Sequence, residues 1–154
     1  MNLKRQHLES KNQTGDEMNR LIKTYSKDVN NIMVKRNNEV CPLSKLSLDE
    51  AFDYVKNIPY RQDTAPVEVV SRPAFIAKNS SVGMDCKKKA ILLSAYLHNR
   101  GIPYRLIASS KKLSGRIHHV FPQVQLAGNW YNFDATYSNY KPFQLKTLTK
   151  AEIL

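Results

Sequence analysis

The chain has 154 residues, of which 42% are hydrophobic, and it carries a formal net charge of +11. This length and apolar content predict one domain with a single core. No run reaches the ~18 apolar residues that a membrane span needs, so we expect no transmembrane segment. The first residues, "MNLKRQHLESKNQTGDE", lack the apolar stretch of a signal peptide, which predicts a cytoplasmic or virion-associated protein.

The basic charge predicts an anionic partner, which could be nucleic acid, an acidic protein, a cell-wall polymer or a membrane surface. The basic residues are scattered, and no RNP-like motif, zinc-finger spacing or helix-turn-helix accompanies them. Charge therefore indicates the class of neighbour and not the activity. Two cysteines without a signal peptide favour free thiols, with a Cys41–Cys86 disulfide as the alternative.

Residues 1–13 are polar and basic, and we expect a flexible arm that precedes a single domain over residues 14–154. Thr14 and Glu17 have the spacing of a capping box. Apolar residues then follow at helical intervals: Met18, Leu21, Ile22, Tyr25, Val29, Ile32 and Met33. This pattern predicts an amphipathic helix that ends near residues 37–38.

A second capping box, Ser47 with Glu50, predicts a shorter helix that Pro59 closes. The stretch of residues 60–81 contains two prolines and no sustained period, so we expect irregular structure with at most one short helix or strand. A further helix is predicted over about residues 85–99, with Gly101 at the C′ position.

Beyond Gly101, three stretches are typical of strands: "PYRLIAS", "IHHVFPQVQL" and "NWYNFDATY". A hairpin turn is expected within residues 125–129. Helices first and strands afterwards predict an α+β fold, in which an antiparallel sheet packs on the cysteine-bearing helix.

Cys86 stands at the predicted start of that helix, directly before three lysines. The positive end of the helix dipole and the charges of residues 87–89 both favour the thiolate. Lysines are unfavourable at this helix end, and a local rule broken where it activates a nucleophile is typical of a functional site. The alternative interpretation is a buried core cysteine beside a solvated lysine face.

Two later stretches supply partners for this thiol. "IHHVF" offers an imidazole and "WYNFDAT" a carboxylate. If the hairpin loop is Gln125–Gly128, Val124 faces Asn129 and His119 falls opposite Asp134, with Cβ atoms about 4.5–5.5 Å apart. The pattern predicts a nucleophilic thiolate, an imidazole base and acid, and an orienting carboxylate.

His118 is the alternative base, and it would need an odd-length loop or a bulge to reach the carboxylate. Apolar alternation puts Val120 and Val124 on the His118 side, which conflicts with His119 unless the strand is covered on both faces. A metal site from Cys86, His118 and His119 is disfavoured because adjacent histidines on a strand point to opposite faces. We therefore predict neither a metal nor a cofactor.

Acyl transfer also requires a donor to the oxyanion of the tetrahedral intermediate. The backbone N–H of Cys86 at the helix start is one candidate. Gln62 in "YRQD" is a second candidate, supplied by a side chain, and the alternative for it is an ordinary exposed loop residue.

The ordered set "GMDCKKKAILLSAYLHNRGIPYRLI", "HHVF" and "WYNFDATY" resembles the transglutaminase-like superfamily. The upstream "IPYRQDTAPVEVVSRP" resembles the segment that precedes the cysteine in many members, so the resemblance spans roughly residues 58–140. It implies Cys86 as nucleophile, His119 as base and acid, and Asp134 as the orienter. It also implies a papain-like core and a thioester intermediate that an amine or water resolves.

The sequence departs from this family's pattern at two positions. Met84 is inserted into the usual Gly-Asp-Cys run, and Phe121 stands where tryptophan is commoner. The flanking β-domains and calcium sites of the animal cross-linking enzymes are also missing, which implies a compact microbial or phage-type member.

The leading hypothesis is a cysteine acyl-transfer enzyme that acts on peptide or side-chain amides, with hydrolysis favoured over cross-linking. The alternative is a non-catalytic basic structural or virion-associated protein that keeps the fold and binds nucleic acid or an acidic partner. The first hypothesis requires a protein or peptide substrate, and the second does not.

Overall fold

The computed structural model describes residues 11–62, 70–110, 119–148 and 150–154, with the backbone alone for residues 11–13. Its α-helices are α1 (Lys11–Tyr25), α2 (Leu48–Asn57), α3 (Pro73–Lys78) and α4 (Cys86–Asn99). Its strands are β1 (Met33–Arg36), β2 (Glu39–Pro42), β3 (Tyr104–Ser110), β4 (His119–Leu126), β5 (Asn129–Asn132) and β6 (Lys150–Ile153). Short 3₁₀ turns lie at Ser26–Asn30, Leu43–Lys45 and Ser80–Val82.

The four strands β5-β4-β3-β6 form one antiparallel sheet in that order, and β1 pairs with β2 in a separate hairpin. Helix α4 contacts β3 and β4 on one side and the other three helices on the other. The α+β prediction is therefore confirmed, with the cysteine-bearing helix between the sheet and the N-terminal helices.

Helix α4 is central because most of its residues are apolar and buried. Asp85 is its N-cap, and its carboxylate accepts the backbone N–H of Lys88 at 3.0 Å. At the other end, the N–H of Ile102 bonds the carbonyl of Leu97 at 3.0 Å, and Gly101 has a φ of +71°. This is a Schellman motif, and Gly101 occupies the predicted C′ position.

The N-terminal prediction is wrong over its second half, because α1 ends at Tyr25 and a β-hairpin follows. The Asp28 carboxylate accepts both Arg72 at 2.7 Å and the backbone N–H of Ala74 at 3.0 Å, so a tertiary contact overrides the helical pattern. The hairpin turns at Asn37 and Asn38, whose φ values are +51° and +68°. Asparagine tolerates this left-handed backbone better than most residues.

The start of α1 also differs from the prediction. The helix begins at Lys11, so Thr14 lies in its second turn and is not an N-cap. Residues 11–13 are therefore helical, while the rest of the expected arm, residues 1–10, lies outside the described residues. The second capping box is confirmed, since Ser47 and Glu50 exchange both hydrogen bonds at the start of α2.

The β4–β5 hairpin has a shorter turn than predicted. Leu126 pairs with Asn129, and Val124 pairs with Tyr131 instead of Asn129. Ala127 and Gly128 form a two-residue turn with φ values of +50° and +82°. Because the register differs from the prediction by two residues, every side chain keeps its expected face.

Strand β4 is covered on both faces, which removes the conflict over its apolar alternation. Val120 and Val124 belong to the main core with α4. Phe121, on the opposite face, is fully buried and lies under the ammonium of Lys146, 5.0 Å from its ring centroid. The His119 face is therefore enclosed by the segment after β5, which then leads into β6, an element that the sequence did not predict.

The residues just before Cys86 are fixed by backbone hydrogen bonds to residues 59–61. Met84 donates its N–H to the carbonyl of Pro59 at 2.9 Å and accepts the N–H of Arg61 at 3.1 Å. Gly83 makes this approach possible, because its φ is +84° and a Cβ there would lie 2.9 Å from the Pro59 oxygen.

Gly83→Ala should lower the free energy of unfolding by more than Gly128→Ala. Both glycines have a positive φ, which costs alanine about 1–2 kcal/mol. A Cβ at Gly83 would in addition approach the backbone of Pro59, whereas a Cβ at Gly128 would have no atom within 4 Å. Urea unfolding of the two variants measures the difference, and equal losses would contradict the close approach.

Candidate active site

Cys86 is the first residue of α4 and is 4% exposed. The backbone N–H groups of Val120 and Lys87 lie close enough to its sulfur to act against a rise in the pKa of the thiol. Since Val120 follows His119 in β4, the thiol lies at the start of the histidine-bearing strand. Both Cys41 and Cys86 are free thiols, as the sequence predicted.

The resting thiol is protonated. Burial raises the pKa of Cys86 to about 12, with Asp85 and Asp134 adding to the rise, although the two backbone N–H groups act in the opposite direction. The start of the helix does favour the thiolate through the Lys87 N–H, as the sequence predicted, but this contribution does not decide the net pKa of the thiol. Desolvation and two carboxylates outweigh the helix end.

The three lysines after Cys86 have different environments. The ammonium of Lys87 lies 3.8 Å from the Asp85 carboxylate, and Lys88 is half-buried. Lys89 is 2% exposed and donates to the backbone carbonyls of Ile58 at 2.6 Å and Thr136 at 2.7 Å. Burial lowers the pKa of Lys89 to about 8. The three lysines therefore do not surround the sulfur with positive charge, and they do not form one solvent-exposed face.

His119 and Asp134 are hydrogen-bonded, with 2.7 Å between Nε2 and Oδ2. Burial raises the pKa of the Asp134 carboxyl, but hydrogen bonds and charge from His119 and Lys146 outweigh it and hold that pKa below its usual range. The carboxylate is therefore ionised and can only accept, so Nε2 carries the proton. Nδ1 is left as the basic nitrogen.

Two further residues hold the same carboxylate. The ammonium of Lys146 lies 2.8 Å from Oδ2, the oxygen that also accepts His119. Oδ1 accepts the backbone N–H of Thr136 at 3.0 Å and the Thr136 hydroxyl. Both carboxylate oxygens are consequently occupied, and Asp134 is fixed at 3% exposure.

The two remaining side-chain candidates from the sequence are His118 and Gln62. His118, the alternative base, lies outside the described residues. Gln62 is exposed, two residues after the Tyr60–Met84 bridge, and its role as an oxyanion donor stays a prediction. In the part of the chain that the structure describes, no group of three or more His, Cys, Asp or Glu side chains could hold a metal ion.

A tyrosine pair at the edge of the site was missed at the sequence level. The Tyr60 and Tyr137 rings lie 4.8 Å apart. Burial and the hydrogen bond to Tyr137 raise the pKa of Tyr60. Tyr60 also pairs with Met84, two residues before Cys86. Neither tyrosine has a spacing that marks it.

The sequence could have identified one of the other residues that were missed. Asp134 stands two positions before Thr136, and this spacing is the pattern of an Asx turn, in which the acidic side chain accepts the later N–H. No sequence pattern could have identified Lys89 or Lys146, because their partners are distant in the chain. The partners of Lys89 are 31 to 47 residues away, and the partner of Lys146 is 12 residues away.

The sequence model of the transglutaminase-like superfamily matches residues 33–135. This range covers more than half of the 154 residues and contains Cys86, His119 and Asp134. The chain belongs to the transglutaminase-like superfamily. No curated protein matches it.

Among solved structures, this superfamily member is similar to a candidate cysteine protease from Cytophaga hutchinsonii, with 18% identity and a TM-score of 0.48. The match covers 90% of this chain and 44% of that one, so the chain spans less than half the length of the similar protein. Among the described residues of the superfamily member, none of the helices has the length and apolar character to cross a membrane.

In this superfamily member, Cys86 should react more slowly with iodoacetamide at pH 7 than Cys41, which is half-buried in β2. The reason is that Cys86 is enclosed and that its pKa is raised to about 12, so its thiolate fraction grows only in the alkaline range. Peptide mass spectrometry after labelling between pH 6 and 10 measures both rates. Preferential labelling of Cys86 below pH 7 would contradict the protonated resting thiol.

Proposed function

We propose that this protein is a cysteine-dependent acyl-transfer enzyme that acts on peptide or side-chain amides, with Cys86, His119 and Asp134 as its triad. The observation that carries the proposal is the His119–Asp134 hydrogen bond of 2.7 Å, next to the strand position whose N–H contacts the Cys86 sulfur. Membership of the transglutaminase-like superfamily supports the same chemistry.

The first half of the reaction begins from a neutral thiol. The Cys86 sulfur attacks the amide carbon while its proton passes to Nδ1 of His119, and Asp134 stabilises the imidazolium that forms. The N–H groups that reach the sulfur, from Lys87 and Val120, favour the developing thiolate. Collapse of the tetrahedral intermediate breaks the C–N bond, and the leaving amine takes the proton from His119.

The second half resolves the thioester. Water attacks the acyl carbon and gives a proton to His119, and breaking the C–S bond returns that proton to the sulfur with release of the acid. The oxyanion of each intermediate needs donors, and the backbone N–H of Cys86 and the side-chain amide of Gln62 are the proposed ones.

Hydrolysis is favoured over cross-linking by the state of the carboxylates near the thiol. Asp85 and Asp134 both interact with Cys86, but they are 4% and 3% exposed and already bonded. A protonated acceptor amine therefore gains no exposed acidic partner from them. Water needs no such binding site.

The test is turnover of a peptide mixture in ¹⁸O-labelled water with a primary amine present. Hydrolysis adds one ¹⁸O to the acid product, whereas transfer to the amine gives an amide adduct, and mass spectrometry separates the two. Cys86→Ala should abolish turnover, and His119→Ala should lower it on the order of 10²–10⁴-fold by loss of the general base.

Cys41→Ala is the matched control, because it removes the other thiol and should retain full turnover. Equal turnover by wild type and Cys86→Ala would overturn the proposal. So would wild-type turnover that is absent for every backbone and side-chain amide in the mixture.

A second candidate function is a non-catalytic basic protein that binds nucleic acid or an acidic partner. The formal charge of +11 favours it, as does the enclosed, protonated thiol. Neither feature names a partner, and we favour the enzyme because binding an anionic partner does not require a hydrogen bond between His119 and the buried Asp134.

If this candidate is right, wild type and Cys86→Ala should bind a DNA or RNA oligonucleotide equally well. Affinity should fall steeply between 50 and 200 mM salt, because neutralised phosphates release counterions. Fluorescence anisotropy measures this. Affinity that does not change with salt would exclude a phosphate-binding role.

A further inference from the structure

Lys89 is a buried lysine on the helix that begins with Cys86. Its side chain is 2% exposed, and lysine is almost never enclosed in this way unless its charge is paired or hydrogen-bonded. The ammonium donates to the carbonyls of Ile58 at 2.6 Å and Thr136 at 2.7 Å, and lies 3.4 Å from that of Lys56. These carbonyls come from separate segments that border the site.

One of these carbonyls leads to the base through continuous hydrogen bonds. Thr136, whose carbonyl accepts Lys89, gives its N–H and hydroxyl to Oδ1 of Asp134. Oδ2 of Asp134 then accepts Nε2 of His119. Lys89 is therefore connected to the imidazole through two intermediate residues.

The other carbonyls belong to the segment that pairs with the residues just before Cys86. Ile58 precedes Pro59, whose own carbonyl accepts the N–H of Met84 just before the cysteine helix. This segment continues to Tyr60 and to Gln62. The ammonium of Lys89, three residues after Cys86 in the chain, thus bonds the Ile58 segment and the Thr136 segment together.

We propose that Lys89 is a positioning residue that fixes Asp134, and through it His119, relative to Cys86. This inference rests on the proposed function. One turn of α4 carries both the nucleophile and the anchor of the base, so a shift of the helix would move the two together. Lys89 itself does not touch His119 and is no catalytic residue.

The test compares Lys89→Met with Lys88→Met, which removes the same charge from the neighbouring, half-buried position. Methionine keeps an apolar stem but cannot donate to the carbonyls, so the Thr136 segment loses its anchor. Amide hydrogen exchange at residues 134–136 should rise at least about tenfold in Lys89→Met and stay unchanged in Lys88→Met.

Kinetics then separate positioning from simple folding support. Lys89→Met should lower kcat about 10–100-fold with KM within twofold, because Asp134 orients the base and does not bind substrate. The double variant Lys89→Met/Asp134→Ala should be no slower than Asp134→Ala alone, since both changes disable the same path. Thr136→Val removes the hydroxyl, one of the two hydrogen bonds by which Thr136 holds Asp134, and should also lower kcat. This variant keeps the test available if Lys89→Met does not fold.

Unchanged exchange at residues 134–136 in Lys89→Met would overturn the proposal, and so would losses that multiply in the double variant or full kcat in Thr136→Val. A wild type with no amide turnover would overturn the proposed function instead. The exchange comparison would then still decide whether Lys89 fixes the Asp134 segment.

Discussion

The architecture of the site depends on one buried carboxylate. Asp134 accepts His119 and Lys146 on one oxygen and Thr136 on the other, at 3% exposure. A charge enclosed in this way is stable only because each lone pair is used, and removal of one partner would leave it unpaired. Its ionisation fixes the imidazole tautomer, and the tautomer decides which ring nitrogen can act as a base. The packing of a single side chain thereby determines the chemistry that His119 can perform.

The same burial determines the resting state of Cys86. A sulfur that is 4% exposed and interacts with two carboxylates keeps its proton, so the proposed reaction starts from a thiol and not from a preformed thiolate. In this respect the site resembles a serine hydrolase, in which the proton leaves the nucleophile during attack. In the proposed reaction, the backbone N–H groups of Lys87 and Val120 offset part of the effect of burial as charge develops on sulfur.

Local rules in the sequence predicted the parts of the fold that local physics controls. The Ser47–Glu50 capping box, the end of α4 at Gly101 and the side of β4 that carries His119 all follow from short-range patterns. The register error of two residues left the His119–Asp134 pair intact because side chains alternate with a period of two. The β1–β2 hairpin was missed because Asp28 pairs with Arg72, 44 residues later. The roles of Lys89 and Lys146, and the raised pKa of Cys86, likewise depend on where distant segments return.

Nitrogen NMR of His119 tests the central claim most directly, because the two ring nitrogens report their protonation separately. In the wild-type protein, labelled with ¹⁵N in histidine and held at a pH where the ring is neutral, the proton should reside on Nε2, with Nδ1 showing the shift of an unprotonated nitrogen. Asp134→Ala should convert this single tautomer to a mixture. A wild-type ring with its proton on Nδ1 would contradict the proposed role of Asp134 as the residue that orients His119 as a base.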